Sequence, residues 1–199
     1  MNSRITLALV GIAVLSTALL SAVLLPAADT AGNWMDVPYV AQPKDGCGAA
    51  AISMVMQYWA KQPGNAVRPE ASAAADPQTI QRLLFVPAEK GIPATAMRDY
   101  FQHSGFSAYA FRGQWDDLHH HVSLGRPLVV SLRASGPHGP LHYAVIVGLD
   151  WQRNFVFLND PARGKMLRFS RERFLAEWNP ADNWALLAIP AAAAPAGAQ

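Results

Sequence analysis

The chain has 199 residues, enough for one domain, with 15% charged residues and a net charge of +2. It contains no long basic run, so the sequence offers no electrostatic basis for binding nucleic acid. A single cysteine cannot supply Cys/His metal spacing, and we find no glycine-rich phosphate loop and no internal repeat, so no motif calls for a metal or a cofactor.

Residues 1–31 are interpreted as a targeting segment. Arg4 gives a short positive start, and residues 5–25 are uncharged and rich in Leu, Ala, Val and Ile. This run is longer than the core of a typical cleaved signal and just reaches the roughly 20 apolar residues that span a membrane. A cleaved signal peptide and a retained single N-terminal membrane anchor therefore both stay open. Either one predicts an exported chain, periplasmic or extracellular, with the positive end left inside.

The rest of the chain divides into a mainly helical first part and a mainly β second part. Apolar residues at helical spacing predict a buried helix over Cys47–Ala60. Asp76 before Pro77 predicts a helix start, because proline suits the first helical position. Helices are also predicted over 77–85, 95–103, 114–124 and 171–178, strands over 106–112, 127–133, 142–149, 155–158, 166–169 and 184–189, and a turn over 159–164. This order indicates one α+β domain over 32–189 with a mainly antiparallel sheet, followed by a disordered Ala/Pro tail at 190–199.

The only cysteine, Cys47, stands between two glycines at the predicted start of the first helix. Unpaired backbone N–H groups and the helix dipole favour an anion there, so we expect the pKa of this thiol to be lowered. From the cysteine alone, a catalytic thiol and an inert thiol are equally open. Gln42 lies five residues earlier, on the incoming loop. It could donate a hydrogen bond to an oxyanion at the cysteine, or it could be a plain loop residue bonded to water.

A thiol nucleophile needs a base within hydrogen-bond reach and a third group that orients the base. Among six histidines, His142 is the candidate base because it stands at the mouth of a predicted buried strand. A buried histidine bonded to a backbone carbonyl is the alternative. The orienting group should come from the end of the neighbouring strand, where Asn159 and Asp160 are found. Side chains alternate along a strand, so only one of these two can face His142.

A run of three histidines lies on a predicted polar helix, at His119, His120 and His121. We interpret this run as a solvated helix face. Weak metal binding by these histidines together with Asp116 or Asp117 is the alternative.

These residues give the chain a resemblance to the papain-like peptidases related to the bacteriocin-leader-processing family, over roughly residues 37–189. The similar segments are QPKDGCGAAAISMVMQYW, GRPLVVSL, HYAVIVG and NDPARG. The resemblance implies a papain-like fold in which Cys47 is the nucleophile and His142 is the base and acid. It further implies that Asp160 orients the histidine and that Gln42 donates to the oxyanion. Family members often place this glutamine six residues before the cysteine, so Gln42 departs from the pattern by one residue.

The leader-processing enzymes are commonly fused to a membrane exporter with an ATPase, and this chain has no ATPase motif. Cleavage after a double-glycine leader is therefore not carried over. The resemblance implies an exported, stand-alone cysteine peptidase that acts on a peptide or protein through a thioester intermediate. An acyl or amide transferase with the same residues and a peptide-binding module without turnover are the alternatives.

Overall fold

The computed structural model of the protein describes residues 32–63 and 74–191. The predicted targeting segment at 1–31 and nearly all of the predicted tail at 190–199 lie outside the described residues. Within the described ranges, no helix has the length and apolar character needed to cross a bilayer.

The described helices and the strands after residue 105 lie close to their predicted positions, whereas no strand is predicted over 32–34. The helices are α1 (Cys47–Ala60), α2 (Pro77–Leu84), α3 (Ala94–His103), α4 (Trp115–Ser123) and α5 (Arg171–Trp178). The strands are β1 (Gly32–Trp34), β2 (Phe106–Arg112), β3 (Leu128–Leu132), β4 (His142–Asp150), β5 (Phe155–Asp160), β6 (Gly164–Ser170) and β7 (Trp184–Pro190). Short 3-10 turns lie at Pro87–Glu89 and Asn179–Ala181. Every strand pairing is antiparallel, which confirms the predicted α+β class.

The sheet has the strand order β2-β7-β3-β4-β5-β6, and β1 pairs with the second half of β4. Strand β4 lies at its centre, with β3 beside its first half, β1 beside its second half and β5 along its other edge. All of β4 after His142 is buried, as its continuous apolar sequence predicts. His142 therefore stands at the point where a rigid, covered strand emerges next to a loop.

Helix α1 packs against the sheet and is buried over almost its whole length. Ile52, Met54 and Val55 are fully buried, and burying a side chain of this size contributes about 1.5–3 kcal/mol. The helix begins directly at the cysteine. Gly48 is required there because a Cβ atom on it would lie 2.9 Å from the Cβ of Ile92. This close approach places the first turn of α1, and with it Cys47, against the chain that leads into α3.

Two helices of the described structure begin at capping residues. The Asp76 side chain accepts a hydrogen bond from the backbone N–H of Thr79 at 2.7 Å, and Pro77 takes the first helical position of α2. Ser170 caps α5 by accepting from the backbone N–H of Arg173 at 3.3 Å. The capping residues therefore fix both helix starts, and the start of α2 is the one predicted from Asp76 and Pro77.

The prediction of a turn over 159–164 is wrong at its start, because β5 continues through Asn159 and Asp160. An irregularity in the β5–β6 register after Leu158 lets Asp160 pair with Gly164, so the turn is shorter than predicted. Both polar residues are fully buried, which the hydrogen bonds described below make tolerable.

The prediction of a solvated histidine face on α4 is wrong for two of its three members. His119 stacks on Trp151 with ring centroids 4.3 Å apart, and His121 is half-buried beside Phe111. Burial is the largest cause that lowers the pKa of His121, followed by the charge of His120. In the described residues, no group of three or more His, Cys, Asp or Glu side chains is arranged to hold a metal ion.

Candidate active site

The ends of three elements meet where β4 begins and β5 ends. Cys47 is the first residue of α1, His142 is the first residue of β4 and Asp160 is the last residue of β5. Residues far apart in sequence are thus brought together by the helix start and by the β4–β5 pairing. The structure places side by side the three residues that the sequence proposed as nucleophile, base and orienting group.

The hydrogen bond between His142 and Asp160 sets the direction of the imidazole ring. His142 Nε2 lies 2.7 Å from Asp160 Oδ1. The Asp160 side chain has no exposed surface, and that of His142 is 19% exposed. Because Nε2 is engaged by the carboxylate, Nδ1 is the ring nitrogen left for the hydrogen bond between His142 and Cys47.

The Asp160 carboxylate accepts hydrogen bonds on both oxygens. Besides His142, Oδ1 accepts from the backbone N–H groups of Ala162 at 2.9 Å and Arg163 at 3.0 Å. Oδ2 accepts from Arg163 Nε at 2.5 Å. Burial alone would raise the pKa of this carboxyl, but the bonds to His142 and Arg163 lower it to about 2. Asp160 is therefore ionised throughout the neutral range.

Asn159, the other candidate for the orienting group, is committed elsewhere. Its Nδ2 donates to the backbone carbonyl of Val37 at 3.0 Å, and its Oδ1 accepts from the backbone N–H of Met166 at 3.0 Å. The side chain is fully buried. Alternation along β5 thus turns Asp160 towards His142, while Asn159 ties β5 to two backbone segments.

The charges of Cys47 and His142 support each other. Burial by itself raises the pKa of the half-buried Cys47 thiol. A hydrogen bond to His142 and backbone N–H groups of Tyr143 and Gly48 outweigh this effect and lower that pKa. Burial likewise lowers the pKa of His142, but the bonds to Asp160 and Cys47 raise it to about 9. The imidazolium and the thiolate therefore stabilise each other: His142 lowers the pKa of Cys47, and Cys47 contributes to the raised pKa of His142.

Gln42 is brought near this site through its backbone. Its N–H donates to the carbonyl of Pro161 at 3.0 Å, which ties the loop before α1 to the turn after Asp160. The buried Oε1 of its side chain has no hydrogen-bond partner in the part of the chain that the structure describes. The backbone N–H of Cys47 has no intrahelical partner, since it opens α1. The described hydrogen bonds do not join the Gln42 amide to Cys47.

Sequence reasoning missed Arg163 and Glu177. Arg163 follows Asp160 by three residues and contacts its carboxylate, and Glu177 of α5 pairs with Arg163. The short spacing of Arg163 from Asp160 is a signal that the sequence contains. The contact with Glu177 depends on how α5 packs, and no local pattern reports it.

A cysteine at a helix start that faces a histidine and an aspartate on an antiparallel sheet defines the papain-like class of cysteine peptidases. The chain belongs to the Peptidase_C39 like family, which its sequence matches over residues 34–186. It is therefore a cysteine-type peptidase, and the family resemblance seen in the sequence is confirmed. No curated protein matches the sequence significantly.

Solved structures of low sequence identity share the fold. A double glycine motif protease from an AMS/PCAT transporter, in complex with the leader peptide, has 19% identity and a TM-score of 0.57, covering 79% of this chain and 94% of that chain. The peptidase domain of Streptococcus ComA, a bi-functional ABC transporter involved in a quorum sensing pathway, has 21% identity and a TM-score of 0.58, covering 76% and 97%. The Streptococcus mutans ComA peptidase domain has 21% identity and a TM-score of 0.53, covering 76% of this chain and 98% of that chain. These matches confirm the papain-like fold.

Proposed function

We propose that the chain is an exported peptidase that hydrolyses peptide bonds with Cys47 as nucleophile, His142 as base and acid, and Asp160 as orienting residue. The observation that carries the proposal is the 2.7 Å contact between His142 Nε2 and Asp160 Oδ1. This contact fixes the imidazole so that its other nitrogen is available to the thiol. An ionised, fully buried aspartate also stabilises the imidazolium, which an asparagine could not do.

Acylation begins with the thiolate of Cys47. Its sulfur attacks the carbonyl carbon of the substrate, a C–S bond forms, and the carbonyl electron pair moves to the oxygen. The backbone N–H of Cys47 and the side-chain amide of Gln42 donate hydrogen bonds to this oxyanion. His142 gives its Nδ1 proton to the leaving nitrogen, the C–N bond breaks, and a thioester with Cys47 remains.

Deacylation uses the same groups in reverse. Neutral His142 takes a proton from water, and the resulting hydroxide adds to the thioester carbon. The oxyanion collapses, the C–S bond breaks, and the product carboxylic acid leaves. Cys47 returns as a thiolate beside the imidazolium, with Asp160 on the far side of the ring.

Export and the substrate class have separate support. The apolar, uncharged run at 5–25 supports an exported chain, either by a cleaved signal or by a retained anchor. Sequencing the N-terminus of the protein recovered from the producing cells separates these: a start near residue 32 supports cleavage, and an intact Met1 supports the anchor. A peptide substrate is supported by the leader peptide bound to the similar double glycine motif protease.

The test is cleavage of a degenerate peptide library by the full chain, read by mass spectrometry. We expect Cys47→Ala and His142→Ala to lose cleavage by at least about a thousandfold. His103→Ala is the matched control, because this exposed histidine ends α3 and should leave cleavage unchanged. Persistent cleavage by Cys47→Ala, or full activity of His142→Ala, contradicts the proposal.

Gln42 has a test of its own. If its amide holds the oxyanion, Gln42→Ala lowers kcat by about a hundred- to a thousandfold with little change in KM. Gln62→Ala is the control, a glutamine beyond the end of α1. An unchanged kcat would show that Gln42 does not stabilise the oxyanion. The backbone N–H of Cys47 would then remain as the proposed donor to the oxyanion.

A further inference from the structure

We propose that Arg163 is a positioning residue that holds the Asp160 carboxylate in line with His142, and that Glu177 in turn holds Arg163. The inference rests on the proposed function of Cys47, His142 and Asp160. Arg163 contacts neither the thiol nor the imidazole in the described structure, so it acts through Asp160.

Arg163 takes hold of both oxygens of the carboxylate. Its Nε lies 2.5 Å from Asp160 Oδ2, and its backbone N–H lies 3.0 Å from Oδ1. Rotation about the last bond of an aspartate side chain has broad, shallow minima, so the carboxylate plane is not fixed by its own torsion. Donors on both oxygens fix that plane. Oδ1 is then presented to His142 while Oδ2 remains bonded to the guanidinium.

Glu177 supplies the second contact of the guanidinium. Arg163 Nη1 lies 2.9 Å from Glu177 Oε2 and 3.2 Å from Oε1. Only 27% of the Arg163 side chain and 12% of the Glu177 side chain are exposed, so solvent screens this pair less than a surface ion pair. The planar fork of arginine suits two carboxylates at once, which the single ammonium of lysine does not.

The aromatic ring of Phe169 and the side chain of Arg173 complete the arrangement. Arg163 Cζ lies 5.2 Å from the Phe169 centroid, and Arg173 Cζ lies 3.7 Å from the same centroid. Arg173 Nε lies 3.7 Å from Glu177 Oε1. Negative and positive groups thus alternate outward from the thiolate, through imidazolium, Asp160, Arg163 and Glu177, to Arg173.

Glu177 is itself tied to the strand beside His142. Its backbone carbonyl accepts from the N–H of Arg133 at 2.8 Å. Arg133 follows β3 directly, and the last residue of β3, Leu132, pairs with His142. The contacts therefore close a ring that runs from His142 through Asp160, Arg163 and Glu177 back to the strand next to His142. Such a ring holds the imidazole and the carboxylate by the same packed framework.

The chain contains a matched control for an arginine that only closes a turn. Arg153 donates its backbone N–H to Asp150 Oδ1 at 2.9 Å and its Nη1 to Asp150 Oδ2 at 3.0 Å, with the same spacing in sequence. This pair lies at the far end of β4 from His142. Removing its guanidinium costs an ion pair of similar geometry without touching the site.

The experiment measures the rate of Cys47 alkylation by iodoacetamide against pH in the full chain, together with peptide cleavage. Cys47 is the only cysteine, so the alkylation reports on this thiol alone. In Arg163→Met we expect the thiolate to form at higher pH than in the wild type, because a loosened Asp160 supports the imidazolium less. We expect kcat/KM to fall by about ten- to a hundredfold. Arg153→Met should match the wild type in both measurements.

Glu177→Ala should shift the alkylation profile in the same direction but less. The double variant Arg163→Met/Glu177→Ala should be no worse than Arg163→Met, since Glu177 acts through Arg163. Arg163→Gln keeps a hydrogen-bond donor for Asp160 and serves if Arg163→Met does not fold, with an intermediate shift expected.

An Arg163 variant that titrates like the wild type overturns the inference, and so does an equal shift in Arg153→Met. Failure of the proposed function looks different. In that case the wild-type thiol itself titrates in the ordinary range and is unaffected by His142→Ala.

Discussion

The two ends of the β4–β5 hairpin contain the same local device with different surroundings. At one end Asp160 is bonded to Arg163, and at the other Asp150 is bonded to Arg153, each arginine three residues after its aspartate. Arg153 is 74% exposed, whereas Arg163 is 27% exposed. In both pairs the backbone N–H of the arginine donates a hydrogen bond to Oδ1 of the aspartate, and the guanidinium donates one to Oδ2. The turn chemistry is therefore common to both ends.

The neighbours across each turn make the difference. Asp150 faces a turn that includes Trp151, which stacks on His119 and lies beside Trp115. Asp160 instead meets an imidazole that bonds to a thiol. A motif that only closes a turn at one end thus becomes part of a charge-coupled site at the other. The lesson is that the short pattern in the sequence does not define the site; its partners from α1, β4 and α5 do.

The largest difference between the two pairs is expected in kcat when Asp160→Ala is compared with Asp150→Ala. Loss of the orienting carboxylate lowers kcat by about ten-thousandfold, because the imidazole loses its tautomer and its counter-charge. Asp150→Ala keeps the wild-type kcat. The measurement is kcat for a peptide that the wild type cleaves, with circular dichroism to verify folding. Equal losses of kcat in the two variants would show that both aspartates affect activity only by stabilising the fold, and would contradict an orienting role for Asp160.

The pH dependence of cleavage is the next test, because it reports the pKa values of His142 and Cys47. In the proposed mechanism His142 must be protonated to give its proton to the leaving group. Its pKa is raised to about 9, so the imidazolium is retained from neutral pH up to that value. Activity should therefore fall as the pH rises through about 9. The acid limb should lie below the ordinary thiol pKa, because the pKa of Cys47 is lowered. The profile of kcat/KM against pH checks both limbs, and a basic limb near 6.5 would contradict them.

Asn159→Ala tests whether Asn159 has a structural role that is separate from the proposed orienting role of Asp160. The change leaves the buried carbonyl of Val37 and the N–H of Met166 without their side-chain partner, which should cost about 1–3 kcal/mol in the free energy of unfolding. Urea unfolding measures that loss, and the alkylation profile of Cys47 should remain that of the wild type. A larger drop in kcat for Asn159→Ala than for Asp160→Ala would assign the orienting role to Asn159.

The smallest effect is expected for Arg153→Met in unfolding experiments. Its guanidinium is largely exposed, so the ion pair contributes about 0–1 kcal/mol and less at high salt. Unfolding at low and high salt measures this. The corresponding change at Arg163 should cost more stability and depend less on salt, since Asp160 is fully buried. Equal losses at the two arginines would remove the contrast in surroundings.

The sequence predicts the helices and strands that carry the site better than it predicts the contacts between them. The start of α1 at Cys47 follows from a glycine on each side and from the apolar spacing behind it. His142 at the mouth of β4 follows from the continuous apolar run. Strand alternation states that only one of Asn159 and Asp160 can face the histidine, but the choice depends on the register of β4 against β5, and that pairing contains an irregularity after Ile146.

Contacts between elements could not be predicted in the same way. Glu177 meets Arg163 because α5 packs beside β6 and its last turn is bonded to the end of β3, which no spacing in the sequence reports. His121 is half-buried because its ring lies beside that of Phe111, with ring centroids 5.9 Å apart, although its own helix is polar. Tertiary packing decides both positions.

The most direct test of the account is the protonation state of His142, followed by NMR of the full chain with ¹⁵N-labelled histidine from pH 5 to 10. We expect both ring nitrogens to carry protons at pH 7.5 and the ring to titrate near pH 9. In Asp160→Ala the titration should move to lower pH, and in Asp150→Ala it should not. A ring that is neutral at pH 7.5 in the wild type would contradict the coupled thiolate–imidazolium pair on which the proposed function depends.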